Sequence, residues 1–150
     1  MFAAANPFRN ASFSAQSNVY REVGVSSAVD SANPHRLVEM LYDGLIESIA
    51  QARGAMRVRN IDLKCRSISR AVRIVEEGLL DALDMRSGGE LAANLSLLYG
   101  YVSRRLTLAN LRNDEAMLQE CADLVQPLRD AWSQIAAQAA APAPKRVVNG

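Results

Sequence analysis

Few side chains in this sequence could do chemistry, and their spacing argues against it. His35 is the single histidine, and it falls in the first turn of a predicted helix, where we expect a surface residue rather than a ligand or base. Asp84 and Glu90 flank the turn Ser87-Gly88-Gly89, and acidic side chains there are typical of helix ends. The Glu-x-x-His motif of metal-carrying helical bundles does not occur in the sequence. The sequence therefore predicts no catalytic site, no metal and no cofactor.

The two cysteines, Cys65 and Cys121, lie far apart in the sequence and occupy apolar-periodic positions. Cysteine at such positions behaves as a small hydrophobic residue, and disulfides are rare in reducing compartments. We expect both to be buried thiols in a reduced protein, with no disulfide between them.

A third chemical feature is a basic block over residues 53–73. It contains seven basic residues against Asp62 alone: Arg53, Arg57, Arg59, Lys64, Arg66, Arg70 and Arg73. A basic helix face is one mark of nucleic-acid binding, but here no aromatic residues interleave and no Gly-rich phosphate loop is present. We favour a solvated helix face, and a helical nucleic-acid-binding module that uses the block 53–73 is the alternative function.

The composition indicates the kind of fold that must position these residues. The chain has 150 residues, of which 49% are hydrophobic and 5% aromatic, with a formal net charge of +1. A chain of this length usually forms one domain and can bury a core without disulfides. A sequence rich in Ala and Leu with few aromatic residues is typical of a helical bundle rather than a β-sandwich.

Apolar periodicity predicts four helices joined by short connections. Asn33 and Asn113 are suitable N-caps for the first and fourth helices, and Pro34 occupies the first helical position, where its missing N–H has no cost. The predicted helices cover 33–58, 61–84, 90–112 and 113–137. Four helices of similar length with short connections form an antiparallel up-down-up-down four-helix bundle, so the predicted fold class is all-α.

This bundle is expected over residues 33–137. Residues 1–32 are rich in Ala, Ser and Asn, and we interpret them as a mobile N-terminal arm with a short helical cap. Residues 138–150 form an Ala/Pro tail that we expect to be disordered. We find no secretory signal and no apolar run of the roughly 18 residues that a membrane span requires. The sequence therefore predicts a cytoplasmic protein without membrane insertion.

The apolar surface of two predicted helices is wider than a bundle core needs. A bundle helix buries an arc of roughly 100°, but the apolar residues of the first helix spread over roughly 180°, which suits either a broad core edge or a partner surface. The third helix carries a second apolar stripe, Leu97, Tyr101 and Leu108, well away from the predicted core stripe through Leu91 and Val102. Contiguous exposed apolar surface usually marks an interaction site. The candidate groove comprises Leu41, Tyr42, Leu45, Ile46, Ile49, Leu97, Tyr101 and Leu108.

Three segments of the predicted bundle carry recognisable motifs. They are NPHRLVEMLYDGLI at 33–46, LDMRSGGELAANLSLLYGYVSRRLTLAN at 83–110 and LRDAW at 128–132. The combination of LYDG, GGELAANL-x-x-LY-x-Y and RRL-x-x-AN, in this order and spacing, resembles the family of flagellar secretion chaperones called FliS. Tyr20, followed by a Val/Ser/Ala-rich stretch before the proline, is also similar to the family. The long Ala/Pro tail and the extended N-terminus depart from it.

The resemblance implies a four-helix bundle that binds the C-terminal segment of flagellin in the cytosol. That segment is disordered when free and forms helices on the chaperone, which keeps flagellin from polymerising early. The complex then delivers flagellin to the flagellar type III export gate, so the implied protein is not an enzyme. The resemblance also implies that the arm around Val19, Tyr20 and Val23 covers a groove or contacts the export gate. The expected partners are flagellin and the export gate, and no nucleic acid.

Overall fold

The computed structural model describes residues 33–140, which are almost entirely helical and contain no strand. Its helices are α1 (Pro34–Arg57), α2 (Ile61–Arg73), α3 (Gly89–Arg112) and α4 (Glu115–Ala140), and a π-helical segment, Ile74–Leu80, continues α2. The prediction of an all-α protein with four helices is confirmed. The predicted arm over residues 1–32, with Val19, Tyr20 and Val23, lies outside the described residues, as does the tail beyond residue 140.

Polar side chains fix the helix starts. Asn33 Oδ1 accepts the backbone N–H of Arg36 at 2.8 Å, as a helix N-cap should. The fourth helix differs from the prediction, because Asn113 does not cap it. Asn113 ends α3 with φ of 50°, and Asp114 Oδ1 accepts the N–H of Met117 at 3.2 Å instead. Asn adopts the left-handed conformation more readily than most residues, so it suits the end of α3, and the cap of α4 falls one residue later.

The second predicted helix is not α-helical throughout. Residues Ile74–Leu80 form a π-helix, a wider turn that is rare and often found at functional sites. Gly78 is buried within it, and Ser103 Oγ of α3 donates a hydrogen bond to Glu76 Oε1 at 2.7 Å. Val75 and Leu79, which lie in this π-helical segment, nevertheless belong to the core.

The helices run antiparallel, with α1 packed against both α2 and α4. His35 at the start of α1 meets Trp132 near the end of α4, and Arg57 at the other end of α1 pairs with Glu115. Lys64 of α2 reaches Asn113, which ends α3. The α1–α2 turn and the α3–α4 turn therefore lie at the same end of the bundle, which we call the double-turn end.

Three large apolar residues near helix ends lie on the surface, among them Leu91 of the predicted core stripe of α3. Leu91 is 48% exposed and Ile61 is 68% exposed, and Ile135 is exposed as well. Each lies in the first or last turns of its helix, where neighbouring helices provide less cover. Tyr99, outside the predicted stripe of α3, is completely buried.

The cysteines differ from each other. Cys121 is buried, as predicted, whereas Cys65 is only half-buried, with its Sγ 3.6 Å from Asn110 Oδ1 at the α2–α3 contact. Burial raises the pKa of the Cys121 thiol to about 12, which makes that thiol a poor nucleophile at neutral pH. Both thiols are free. Among residues 33–140, no helix combines the length and apolarity of a membrane span.

Candidate partner-binding surface

The predicted groove residues of α1 form the core of the bundle. Leu41, Tyr42, Leu45 and Ile49 are buried, and Ile46 is half-buried and packed against the core. The apolar arc of α1 is wide because this helix packs against two neighbours, α2 and α4. Of the two interpretations of that width, the structure supports a broad core edge, and these side chains could reach a partner only if the helices separated.

Two tyrosines meet inside this core. The hydroxyls of Tyr42 on α1 and Tyr99 on α3 form a short hydrogen bond. Burial raises the pKa of Tyr42 to about 12, and burial together with the neighbouring Tyr42 hydroxyl raises the pKa of Tyr99 well above its ordinary value. Both therefore stay protonated at neutral pH and serve as a polar contact between α1 and α3.

The second stripe of α3 is largely exposed, as an open partner surface requires. Leu97 is 74% exposed and Tyr101 is also on the surface, whereas Leu108 is half-buried and packs against the core. Leu111, which the sequence reasoning did not select, lies on the same helical face and is 80% exposed. We call Leu97, Tyr101, Arg104 and Leu111 the α3 outer face. It extends about 21 Å along the helix.

Tyr101 is held in place by a charged cluster between α3 and α4. Its hydroxyl donates to Glu120 Oε2 at 2.8 Å, and Arg105 Nε donates to Glu120 Oε1 at 2.7 Å. The Arg105 guanidinium also lies 5.9 Å from the centre of the Tyr101 ring. The hydrogen bond from Tyr101, followed by that from Arg105, holds the pKa of Glu120 below its ordinary value. A fixed aromatic ring on the surface loses little further freedom when a partner binds.

More than half of the basic residues in the block 53–73 form ion pairs. Five of its seven basic residues have partners among residues 33–140: Arg53–Glu115, Arg57–Glu115, Lys64–Asn113, Arg66–Asp62 and Arg73–Glu77. Four of these contacts are ion pairs, which reduce the positive potential that phosphate binding relies on. This arrangement agrees with the solvated face that we favoured and gives no support to a nucleic-acid interface.

His35 lies in a helix contact rather than on the open surface. Its ring stacks on Trp132 with centroids 4.1 Å apart, and its Nε2 lies 3.0 Å from the Trp132 carbonyl oxygen. Trp132 Nε1 in turn donates to the His35 carbonyl oxygen at 2.8 Å. Among the described residues, no group of three or more His, Cys, Asp or Glu side chains could hold a metal ion.

The sequence contained signals for the residues that we missed. The buried hydrophobic positions of α3 follow a 3-4-3-4-3 heptad: Ala92, Leu95, Tyr99, Val102, Leu106 and Ala109. This repeat begins one residue after Leu91 and includes Tyr99. The predicted stripe does not include Tyr99, whose buried hydroxyl finds its partner, Tyr42, on another helix. Leu111 lies 14 residues after Leu97, which places it on the same face of α3, in the last turn before the helix ends. This spacing was the signal that could have added Leu111 to the stripe.

Comparison with known proteins adds independent information on the class of protein. The family model described as "Flagellar protein FliS" matches residues 16–139. The flagellar secretion chaperone FliS of Salmonella typhimurium is 43% identical over 120 residues, which cover 80% of this chain and 89% of that protein. The flagellar secretion chaperone FliSB of Pseudomonas aeruginosa is 43% identical over 116 residues, covering 77% and 91%. The FliS of Bacillus subtilis is 34% identical over 108 residues, covering 72% and 79%.

Proposed function

This chain belongs to the FliS family of flagellar secretion chaperones, and we propose that it binds the C-terminal segment of flagellin. Binding keeps flagellin from polymerising in the cytosol and delivers it to the flagellar type III export gate. The protein acts by holding another chain and not by catalysis, which agrees with the chaperone names of its relatives. The arm residues Val19, Tyr20 and Val23 cover the binding surface or contact the export gate.

The observation that carries this proposal is the α3 outer face. Leu97 and Leu111 are large aliphatic side chains that are mostly exposed on one face of α3. Tyr101 lies between them with its hydroxyl already bonded to Glu120. Apolar side chains in line on a helix, with a fixed aromatic ring among them, suit the apolar face of an amphipathic helix. The flagellin segment is proposed to fold onto this face.

Binding should be coupled to folding of the client. A synthetic peptide of the flagellin C-terminal segment, mixed with the full chain, should gain helical circular dichroism beyond the sum of the two separate spectra. Titration calorimetry at several temperatures should give a negative heat-capacity change, because apolar surface is buried. A peptide that binds tightly without gaining helicity would contradict coupled folding.

Substitutions on α3 should separate affinity from stability. Leu97→Asp is expected to change the free energy of unfolding by less than about 0.5 kcal/mol, because the side chain is in solvent. The same variant should weaken flagellin binding by about tenfold to a hundredfold, since an aliphatic anchor contributes roughly 1–3 kcal/mol. Val102→Asp should instead unfold the bundle, because it buries a charge without a partner. Denaturant melts and calorimetric titrations measure the two effects.

The matched control is Ala131→Asp, which places the same charge at an exposed position of α4 with no acidic residue three or four positions away. It should leave both stability and binding unchanged. If Leu97→Asp and the control bind flagellin equally well, then α3 does not contact the client. If Leu97→Asp unfolds the protein, the α3 outer face is part of the core.

A further inference from the structure

The double-turn end contains a cavity of about 310 Å³. Ligand pockets have volumes of about 300–1,000 Å³, so this one suits a group the size of one or two residues and not a whole helix. Its lining combines apolar side chains with cations and amides: Ala55, Met56, Arg59, Asn60, Ile61, Lys64 and Asn113. These residues belong to the two turns and the helix ends beside them.

A buried cation without an acidic partner lies in the cavity wall. Lys64 is only 6% exposed, and its Nζ donates to the Asn110 carbonyl oxygen at 3.1 Å and to Asn113 Oδ1. Among residues 33–140, no carboxylate forms an ion pair with it. An ammonium group has three donors, so one remains after these two contacts. Buried charges are usually paired, and a bound anion would complete this site.

A second cation lies in a backbone conformation that its residue type disfavours. Arg59 has φ of 57°, because it ends α1 in a left-handed cap with Asn60 N–H bonded to the Ala55 carbonyl oxygen at 2.9 Å. Glycine adopts this conformation without steric cost. Within the described chain, Arg59 and Asn113 are the two non-glycine residues with positive φ, and both line the cavity. Strained residues often cluster at ligand sites.

The rest of the lining is apolar and partly open to solvent. Ala55 and Met56 of α1 contribute apolar surface, and Ile61 is largely exposed at the rim. Val58, in the turn beside them, is exposed as well. In this cavity, aliphatic side chains therefore lie next to the two cations Arg59 and Lys64, close enough for one bound residue to contact both.

We propose that this cavity binds the free C-terminal carboxylate of a peptide whose last residue is aliphatic. A terminal residue carries its carboxylate and its side chain on the same Cα, so both fit a space of this size together. The carboxylate accepts hydrogen bonds from Lys64 Nζ and the Arg59 guanidinium, and the side chain lies against Met56 and Ile61. An internal Glu or Asp carries its carboxylate on its own side chain, and the aliphatic group must then come from another residue. Capture of a chain terminus is an established mode of peptide recognition.

The test uses the full chain labelled with ¹⁵N and three short peptides as probes. They are acetyl-Ala-Ala-Leu with a free carboxylate, the same peptide as its C-terminal amide, and acetyl-Ala-Glu-Leu as its amide. The free acid should shift the amide resonances of Arg59, Asn60 and Asn113. Both amides should bind at least about tenfold more weakly than the free acid, since a charge-assisted hydrogen bond is lost. If the acid and its amide bind equally well, the cavity does not recognise a carboxylate. If the Glu peptide binds as well as the free acid, the carboxylate need not be that of the chain terminus. If the free acid shifts no resonances around the cavity, the cavity is not the binding site.

A variant separates a binding role of Arg59 from a structural one. Arg59→Gly should raise Tm by about 2–5 °C, because glycine relieves the left-handed strain. The same variant should lower the affinity for the free-acid peptide by about tenfold. A merely structural arginine would not give a more stable protein that binds less. Arg112→Gln is the matched control, since Arg112 is an exposed cation at the same end that does not line the cavity. Unchanged affinity in Arg59→Gly, or equal loss in Arg112→Gln, would overturn the proposal.

Discussion

At the scale of single residues, the bundle core contains one contact that apolar periodicity does not describe. Tyr42 and Tyr99 fill large volumes of the interior, and their hydroxyls bond to each other. A buried hydroxyl without a partner costs roughly 1–3 kcal/mol, so each tyrosine makes the other acceptable in the core. The pair also fixes α1 against α3, because a sliding helix would break it.

This pair should make the protein sensitive to alkali. Burial raises the pKa of Tyr42 from its ordinary value near 10 to about 12, and it also raises the pKa of Tyr99 well above that ordinary value. A group whose pKa is raised in the folded state stabilises the fold fully below its unfolded pKa and loses that contribution as pH rises through the folded pKa. We expect stability to fall by about 3 kcal/mol for Tyr42 alone between roughly pH 10 and 12. Denaturant unfolding at a series of pH values measures this loss.

The control is the double variant Tyr42→Phe with Tyr99→Phe. Its stability should fall less steeply between pH 10 and 12, because the buried hydroxyls are gone. Part of the slope should remain, since burial also raises the pKa of the Cys121 thiol to about 12. If both tyrosines ionise in the native protein near pH 10, as near-ultraviolet absorbance would show, the pair is more accessible to water than the structure indicates.

At the scale of secondary-structure elements, the ends of the helices are as well defined as their cores. Asn33 and Asp114 cap the starts of α1 and α4 through their side chains. Lys64 of α2 donates to the Asn110 carbonyl oxygen in the last turn of α3. Helix ends carry backbone groups without helical partners, and these side chains satisfy some of them across the double-turn end.

Asp114 should therefore contribute to stability although it is partly exposed. Asp114→Ala removes the cap of α4 and should cost about 1 kcal/mol, the usual value for an N-cap. Asp123→Ala, at an exposed position in the middle of the same helix, should change stability by less than about 0.5 kcal/mol. Denaturant melts of both variants make the comparison. Equal small losses would mean that the first turn of α4 is held by its packing and not by its cap.

At the scale of the whole molecule, α1 is the helix that organises the bundle. Polar and aromatic contacts join it to α4 along its whole length. The His35–Trp132 stack lies at one end, and Arg57 Nε donates to Glu115 at 2.8 Å at the other end. Between them, Arg129 Nε donates to Asp43 at 2.8 Å. The two helices are distant in sequence, so this contact closes the ring of helices. The α1–α4 contact should therefore break only when the whole bundle unfolds.

Trp132 is the single tryptophan and provides the measurement. Unfolding followed by its fluorescence should coincide with unfolding followed by far-ultraviolet circular dichroism, as expected for a cooperative domain of this size. His35→Ala should shift the native emission to longer wavelength and cost about 1–2 kcal/mol, because the ring stack and a hydrogen bond are lost. Arg36→Ala, an exposed neighbour, is the control and should not change the emission. If fluorescence changes well before circular dichroism, the α1–α4 contact opens by itself.

Much of this molecule follows from local sequence. Four helices with bounds close to those observed were predicted from the Asn33-Pro34 start of α1, the paired glycines at the start of α3 and the apolar repeats. The motifs around LYDG and GGELAANL identified the family. Local signals suffice for these features because capping, backbone preference and helical periodicity act within a few residues of each other.

The tertiary structure decided which apolar residues are available to a partner. Leu41 and Leu97 are the same residue type on similarly amphipathic helices, yet one is completely buried and the other is 74% exposed. The difference arises because α1 packs against two helices, whereas no described helix covers the position of Leu97 on α3. The hydroxyl partner of Tyr99 and the cavity around Lys64 likewise join residues from different helices. Periodicity describes one helix at a time, and the burial of a side chain depends on which other helices lie against it.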